Sequence, residues 1–371
     1  MEGSKKRNYG IDLLRLVAMF MVCVLHVLGQ GGILSAVQGD AVSFRTAWLL
    51  EIAAYGAVDC FALISGYVGV GARWRPRNIL VMWGGVVFWA ISAELAYNVI
   101  HPGTYAVADV VKCLFPVLCG SPWYFRSYAA MFPLIPLMNR TVKSQGEHAC
   151  KVTLFALLIC FSVIPLLADG DLAGLSSGYS AFWLALLYLA GACLRQSDVL
   201  SGAKMAQPIW VYVGCVLIGW VLFMVGAAVG GGAENAPEIL ARFYRWVTPN
   251  YISPLTVLGA VALLAAFARL QLPGAHVRAI KYAAPAAFGV YIIHSQPCVW
   301  AHLGGSTAWV AALPVAAMPF AVVGLASGIF VVCFVMEKVR LWLFSRLGIS
   351  AGLARVGDWL ERKIQDYADC A

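Results

Sequence analysis

Long apolar segments separated by basic connections dominate this sequence of 371 residues. A membrane-spanning helix needs about 20 mostly apolar residues, because its backbone must satisfy its own hydrogen bonds inside the bilayer. Hydrophobic residues make up 61% of the chain and charged residues 12%, roughly half the charged share of a soluble domain. Ten segments have a suitable length and apolarity: 11–30, 47–69, 78–100, 122–139, 151–168, 179–194, 209–229, 249–270, 284–303 and 309–336. We therefore predict an all-α polytopic membrane protein with about ten transmembrane helices.

The basic residues lie mostly in alternate connections between these segments. Most of the 26 Lys and Arg fall in one set of connections, which includes Lys5, Lys6 and Arg7 before the first segment and the tail after the last. Because cytoplasmic connections carry the excess of Lys and Arg, both termini are predicted to be cytoplasmic. The expected location is the inner (cytoplasmic) membrane, with the lipid bilayer as a partner. The net charge of +8 then follows from topology, and no nucleic-acid partner is expected.

The chain divides into a membrane domain at 1–346 and a cytoplasmic tail at 347–371. Leu353, Val356, Leu360 and Ile364 recur at helical spacing in the tail, which predicts a short amphipathic helix on the inner membrane surface. Most of the 11 cysteines lie inside apolar segments, where a free thiol behaves as a small hydrophobe. No C-x-x-C motif occurs, and no metal site is expected.

Asp12, Arg15 and His26 place charge and an imidazole in the first segment. Eleven helical residues make three turns plus about 20°, so Arg15 and His26 share one face, about 16 Å apart along the axis. Asp12 lies one turn before Arg15 and is positioned to pair with it. Ionisable side chains within a membrane helix are functional candidates, because the bilayer penalises them. The alternative is structural: Arg15 would reach the interface, and His26 would bond a neighbouring helix.

Several motifs along the chain carry a family resemblance. The first helix begins Asn8-Tyr-Gly-Ile-Asp-Leu-Leu-Arg15, and His26 follows ten residues later. The further motifs are Phe61-Ala-Leu-Ile-Ser65-Gly66-Tyr67, Arg73-Trp-Arg75-Pro-Arg77, Trp123-Tyr124-Phe125 and Tyr291-Ile-Ile-His294. Together they resemble the membrane-bound acyltransferase-3 family of ten-helix proteins. That family transfers acyl groups, usually acetyl from acetyl-CoA, to hydroxyls of surface carbohydrates and other exported molecules. The resemblance implies an acyltransferase-3-like transmembrane domain over 1–346.

The resemblance also implies a catalytic group and a donor site. Acyl transfer from a thioester to a hydroxyl needs a base, and histidine suits that role near neutral pH. His26 is the candidate base or transient acyl acceptor, with Arg15 and Asp12 completing the catalytic set. Acetyl-CoA is the expected co-substrate. Arg73, Arg75 and Arg77 are the candidate contacts to its phosphates, although inner connections are basic in any case.

The remaining candidates are predicted to contact a carbohydrate or glycan acceptor. They are Trp123, Tyr124, Tyr291, His294 and Ser65. Each has an alternative reading: the aromatic residues suit a membrane-interface belt, His294 suits a bond between helices, and Ser65-Gly66 suits close helix packing. Glu51 and Asp59 are further acids within the second segment, and the sequence does not identify their partners.

A transporter or flippase for a small molecule or lipid-linked sugar is the rival function. Ten helices with broken segments and buried charges suit a carrier as well as an enzyme. Many transporters, however, contain two halves of matched pattern, and no such repeat is found here. A membrane scaffold is a third reading, which the buried Asp12, Arg15 and His26 disfavour.

Overall fold

The computed structural model describes residues 7–102, 107–119, 122–168, 171–200, 206–230 and 237–370, so Lys5 and Lys6 lie outside the described residues. Within these ranges the chain forms helices and no strand, which confirms the all-α prediction. The α-helices are α1 Tyr9–Leu28, α2 Ile33–Ala36, α3 Ala41–Tyr55, α4 Ala57–Gly69, α5 Pro76–Ile100, α6 Val107–Cys113, α7 Trp123–Met131, α8 Ile135–Lys143, α9 Glu147–Leu158, α10 Ile164–Leu167, α11 Ala181–Gln196, α12 Ala206–Gly230, α13 Glu238–Val247, α14 Pro254–Ala268, α15 Gly274–Ala283, α16 Ala287–His294, α17 Pro297–Leu303, α18 Met318–Arg346 and α19 Ile349–Cys370. Short 3₁₀ helices cover Val37–Gly39, Phe132–Leu134, Leu172–Gly174, Ser176–Gly178, Ala284–Ala286 and Ala308–Ala312, and Ile159–Val163 is a π-helical turn.

The protein is a multi-pass membrane protein, and each of the ten predicted segments contains a helix. Within the described ranges, six helical stretches are long and apolar enough to span a bilayer: Tyr9–Leu28, Ala41–Gly69, Pro76–Ile100, Glu147–Leu166, Ala206–Val229 and Met318–Arg346. A seventh span results if Leu172–Gly178 and Ala181–Gln196 are joined across their 84° bend. The count of ten and the cytoplasmic placement of both termini stay predictions.

Proline and glycine explain why other predicted segments are shorter or broken. Pro133 and Pro136 flank the change from α7 to α8, where a 3₁₀ turn interrupts the helix. Pro297 opens α17 just after α16 has ended at His294. A proline lacks the backbone N–H and favours the first turn of a helix, so these residues start new helices more readily than they continue old ones.

Helix α1 is held at both of its ends. Asn8 caps its start by accepting hydrogen bonds from two backbone N–H groups, and its own amide donates to the carbonyl of Ala268 at 2.6 Å. At the other end, the Thr307 hydroxyl donates to the carbonyl of Val27 at 2.8 Å, and the Thr307 N–H donates to the carbonyl of Gly31. The contacts of Asn8 place the start of α1 level with the end of α14, so these two helices run antiparallel.

Helices α4 and α11 cross very closely through two glycines. A Cβ added at Gly66 would collide with the carbonyl oxygen of Tyr188, and one added at Gly191 would collide with that of Leu63. Small residues at such crossings let membrane helices approach and gain packing energy. The Ser65-Gly66 segment therefore has a packing role, whatever else it does.

We expect Gly66→Ala to lower the thermal midpoint of the purified protein in detergent. The added methyl group must push the two helices apart, and overpacking of this kind costs about 1–3 kcal/mol. Gly328→Ala is the matched control, because a Cβ at Gly328 in α18 meets no atom within 4 Å. Equal midpoints for the two variants would show that the crossing tolerates the methyl group.

A buried ion pair stabilises α18 against its neighbours. Arg340 donates two hydrogen bonds to Glu337, at 2.8 and 2.5 Å, and the indole of Trp89 donates to the same carboxylate at 2.7 Å. Both charged residues are almost fully buried. A Cβ at Gly85 would crowd the guanidinium of Arg340, and a Cβ at Gly289 would collide with the carboxylate of Glu337. The sequence analysis missed this pair, because it counted Arg340 with the basic tail.

Helix α19 packs along α5 near the basic segment before it. Leu353 lies against Gly84, where a Cβ would collide with it, while Val356 and Ile364 are half exposed. The predicted tail therefore contains a helix with one packed face and one open face. The division into domains at 1–346 and 347–371 stays a prediction, although α18 ends at Arg346.

Candidate active site

His26 and His294 meet across the molecule. Nδ1 of His26 lies 2.8 Å from Nε2 of His294, although 268 residues separate them in the chain. His26 lies near the end of α1, and His294 is the last residue of α16. Two histidines that the sequence analysis assigned to different roles, catalysis and acceptor contact, thus form one unit.

The hydrogen bonds fix where the protons lie on the two neutral rings. Nδ1 of His294 is 2.5 Å from the carbonyl oxygen of Val290, which only accepts, so this nitrogen carries a proton. Nε2 of His294 then has a lone pair and accepts from Nδ1–H of His26. Nε2 of His26 is left with an unshared lone pair, which is the form a general base or a nucleophile requires.

A small cavity adjoins His26. Its volume is about 40 Å³, and its lining is mostly apolar and aromatic. The predicted residues Trp123, Tyr124 and Tyr291 line it together with His26. Binding sites for small molecules measure about 300–1,000 Å³, so this cavity must open before a substrate enters.

Aromatic residues contact His26 on one side and connect α7 to α16 on the other. The ring of Trp300 meets His26 edge-on with centroids 4.6 Å apart, and Gln30 donates to the Trp300 carbonyl. On the other side, the backbone N–H of Tyr124 donates to the hydroxyl of Tyr291 at 3.3 Å. This bond ties the start of α7 to α16, one turn from His294.

Asp12 and Arg15 lie towards the other end of α1. Arg15 donates to Asp12 at 2.5 Å, as the sequence spacing predicts. The same carboxylate also accepts from Arg7, which the sequence analysis did not pair. Asp12 is buried, and one carboxylate between two guanidinium groups leaves a net positive charge here. The unbroken helix between Arg15 and His26 keeps the two side chains on one face, as predicted.

The basic segment Arg73–Arg77 lies apart from the histidine pair and contacts α19. Arg73 pairs with Glu361 at 2.6 Å, and Arg77 lies 3.8 Å from Asp358. Arg75 is the residue that precedes α5. Arg73 and Arg77 are partly exposed, so their guanidinium groups are also accessible to a phosphate group, although Glu361 is buried.

Ser65 and the two acids of the second segment lie outside the cavity lining. The Ser65 hydroxyl donates to the Phe61 carbonyl of its own helix at 2.8 Å. Asp59 is fully buried and accepts from the indole of Trp183 at 3.3 Å. Among the described residues, one carboxylate oxygen of Asp59 and one of Glu51 have no hydrogen-bond partner. Neither acid pairs with an arginine or with His26.

Three aromatic residues at the site were missed in the sequence analysis. Tyr251 and Phe288 line the cavity, and Trp300 contacts His26. Tyr251 belongs to the short connection between α13 and α14, where periodicity carries no information. Aromatic residues are also common throughout membrane helices, so only their spatial convergence distinguishes these three.

Comparison with protein families supports a function for this arrangement. A family model described as an acyltransferase domain matches residues 8–338. The matched range runs from the cap of α1 into α18, and it includes both histidines and all the residues that line the small cavity. No curated protein and no solved structure matches the chain.

Proposed function

The chain belongs to the membrane acyltransferase-3 family, whose model matches nearly all of it, and from this premise we propose a specific reaction. The protein moves an acetyl group from cytoplasmic acetyl-CoA to a hydroxyl of a surface or exported carbohydrate. The observation that carries this proposal is the unshared lone pair on Nε2 of His26, which the hydrogen bond to His294 enforces. Family membership favours an enzyme over the rival transporter, because transport of an unmodified substrate does not require an oriented base.

In the proposed reaction, Nε2 of His26 removes the proton of the acceptor hydroxyl. The oxygen attacks the thioester carbonyl, a C–O bond forms, and the C–S bond breaks. The leaving CoA thiolate then takes the proton from the imidazolium, so the base is restored. His294 supports the positive charge on His26, because the bond between them is retained when Nε2 is protonated. In a two-step variant, the same nitrogen attacks the thioester first and carries the acetyl group.

The net positive charge of Arg7, Asp12 and Arg15 is the second observation that supports the proposed reaction. Arg15 lies about 16 Å from His26 on one face of α1, on the side predicted to be cytoplasmic. An extended anionic donor can therefore meet Arg15 while its acyl end lies near His26. The phosphates of CoA would contact Arg73, Arg75 and Arg77, of which Arg73 and Arg77 also pair with acids of α19.

The direct test uses purified protein in lipid nanodiscs with acetyl-CoA labelled in the acetyl group. Label should appear in a carbohydrate acceptor and should depend on the protein. Rapid denaturation at neutral pH without acceptor separates the two variants of the mechanism, because only the two-step route, in which the CoA thiolate has already left, retains label on His26. Uptake of an unmodified substrate into vesicles, with no acetyl transfer, would support the transporter instead.

We predict that Arg73→Ala raises the KM for acetyl-CoA about tenfold and leaves kcat nearly unchanged. A lost phosphate contact worth about 1.4 kcal/mol weakens donor binding without touching the reacting atoms. Lys151→Ala is the matched control, since Lys151 also pairs with a glutamate at 2.6 Å on a predicted inner connection. If Arg73→Ala and Lys151→Ala have the same KM for acetyl-CoA, Arg73 does not contact the donor.

A further inference from the structure

A larger cavity lies beside the candidate active site. It has a volume of about 370 Å³ and lies between α3, α12, α13 and α14. Its lining is almost entirely apolar and includes Ile52, Gly219, Leu222, Trp246, Leu255 and Gly259. This volume is within the range of small-molecule sites, whereas the cavity at His26 is far below it. We call it the lateral cavity.

Two tyrosines in contact connect the linings of the two cavities. Tyr55 lines the lateral cavity, Tyr251 lines the cavity at His26, and their ring centroids are 4.9 Å apart. Tyr251 precedes α14 by a short irregular connection, so its ring is carried by a segment without helical hydrogen bonds. The Tyr251 ring is therefore the element of this boundary that lies outside a helix.

The two cavities also lie at similar depths. Asn8 contacts Ala268, so the start of α1 and the end of α14 are level. His26 is about 26 Å along α1 from Tyr9, and Pro254 is about 21 Å along α14 from Ala268. The Pro254 end of α14, which lines the lateral cavity, therefore lies within about 5 Å of the level of His26.

Buried polar atoms beside the tyrosine pair lack partners. One carboxylate oxygen of Asp59 and the amide oxygen of Asn250 have no hydrogen-bond donor among the described residues. Asp59 lies one helical turn after Tyr55, and Asn250 directly precedes Tyr251. Unpaired buried acceptors are uncommon, because each one loses its hydrogen bonds to water. Neither residue lines either cavity, so a headgroup hydroxyl could donate to these acceptors only after the tyrosine pair has moved.

An apolar space at membrane depth that adjoins unpaired acceptors fits an amphiphile. We propose that the lateral cavity binds the hydrocarbon chain of a membrane-anchored acceptor, whose hydroxylated headgroup reaches His26 past Tyr251. This inference rests on the proposed function and names the class of acceptor: a glycolipid or lipid-linked saccharide rather than a water-soluble glycan.

The test fills the lateral cavity and compares acceptors that differ only in chain length. A Cβ at Gly219 makes ordinary contacts of 3.6 and 3.7 Å, so Gly219→Leu extends a side chain into the cavity without forcing the backbone. Gly214→Leu, on the same helix, is the matched control, because a Cβ there meets no atom within 4 Å. Acetyl transfer is measured in nanodiscs with methyl, octyl and dodecyl glycosides of one sugar.

For the wild-type protein and Gly214→Leu, we expect the KM to fall at least about tenfold from the methyl to the dodecyl glycoside. Gly219→Leu should raise the KM for the dodecyl glycoside about tenfold and leave that for the methyl glycoside unchanged. Identical chain-length profiles for the two variants would overturn the proposal. The proposal would also be overturned if Gly219→Leu changed the KM for acyl-CoA donors according to their chain length, because the cavity would then hold the acyl chain of the donor.

A binding measurement keeps the inference separate from the proposed function. A dodecyl glycoside with a diazirine at the end of its chain should label peptides of α12 and α14 in the wild type and in Gly214→Leu, and label them weakly in Gly219→Leu. Equal labelling of all three proteins contradicts the proposal, whether or not acetyl transfer is detected. Labelling without transfer to any glycoside would retain the chain site and contradict the proposed O-acetyl transfer.

Discussion

Replacing His26 by alanine should lower the rate of acyl transfer by about 10²–10⁴-fold. General base catalysis by a positioned side chain contributes an acceleration of this size. Among the described residues, His26 is the histidine that both lines the small cavity and presents an unshared ring nitrogen there. The measurement is the initial rate of acetyl transfer from labelled acetyl-CoA to a glycoside, with protein in nanodiscs.

The control for this variant is His302→Ala. His302 is an exposed histidine of α17 that contacts its own helix through the Cys298 carbonyl and lies outside the cavity. It should retain nearly full activity, and both variants should keep the thermal midpoint of the wild type. A fully active His26→Ala protein would contradict the assignment of the base, and with it the proposed mechanism.

Replacing His294 by leucine should lower kcat by about 10²-fold and change the KM for acetyl-CoA little. Leucine cannot accept the hydrogen bond from Nδ1 of His26, so the imidazole loses the partner that fixes its tautomer and stabilises its protonated form. Loss of the corresponding partner in hydrolytic triads has an effect of about 10⁴-fold, although that partner is a full carboxylate. Steady-state kinetics over a range of acetyl-CoA concentrations separate kcat from KM.

His294→Gln is the informative companion of the leucine variant. The terminal oxygen of glutamine can take the place of Nε2 and accept from His26, so at least tenfold of the lost kcat should return. Activity that returns in His294→Gln but not in His294→Leu identifies a positioning role for His294, because both side chains fill the space of the imidazole. Equal losses in the two variants would show that His294 acts through packing or through direct contact with substrate.

A cluster of aromatic rings borders the small cavity at His26. Trp123 stacks on Tyr251 with centroids 6.1 Å apart, and Tyr179 contacts both rings. Trp123 and Tyr251 line the small cavity, and Tyr179 is half exposed. In the proposed reaction, aromatic side chains must therefore rearrange before an acceptor reaches His26, which would couple acceptor binding to the opening of the site.

The local spacing of residues predicted one ion pair correctly, whereas several partners distant in the chain were not anticipated. The pairing of Asp12 with Arg15 was confirmed, since residues three apart on a helix are neighbours in any fold. The contacts of Arg73 and Arg77 with α19 were not anticipated, because their partners Glu361 and Asp358 lie almost 300 residues away. Asp59 had no assignable partner for the same reason, since Trp183, which donates to it, lies 124 residues away. The pair of Glu337 and Arg340, three residues apart, was overlooked because Arg340 was counted with the basic tail.

The sequence by itself determined the all-helical membrane class and the shared face of Arg15 and His26. Both follow from local rules: a bilayer demands apolar helices, and a helix repeats every 3.6 residues. The tertiary structure alone decided that His294 sets the tautomer of His26, that aromatic residues from four separate segments close the cavity, and that a lateral cavity adjoins it. These contacts depend on how distant helices pack, and the spacing of residues along one helix carries no information about its neighbours.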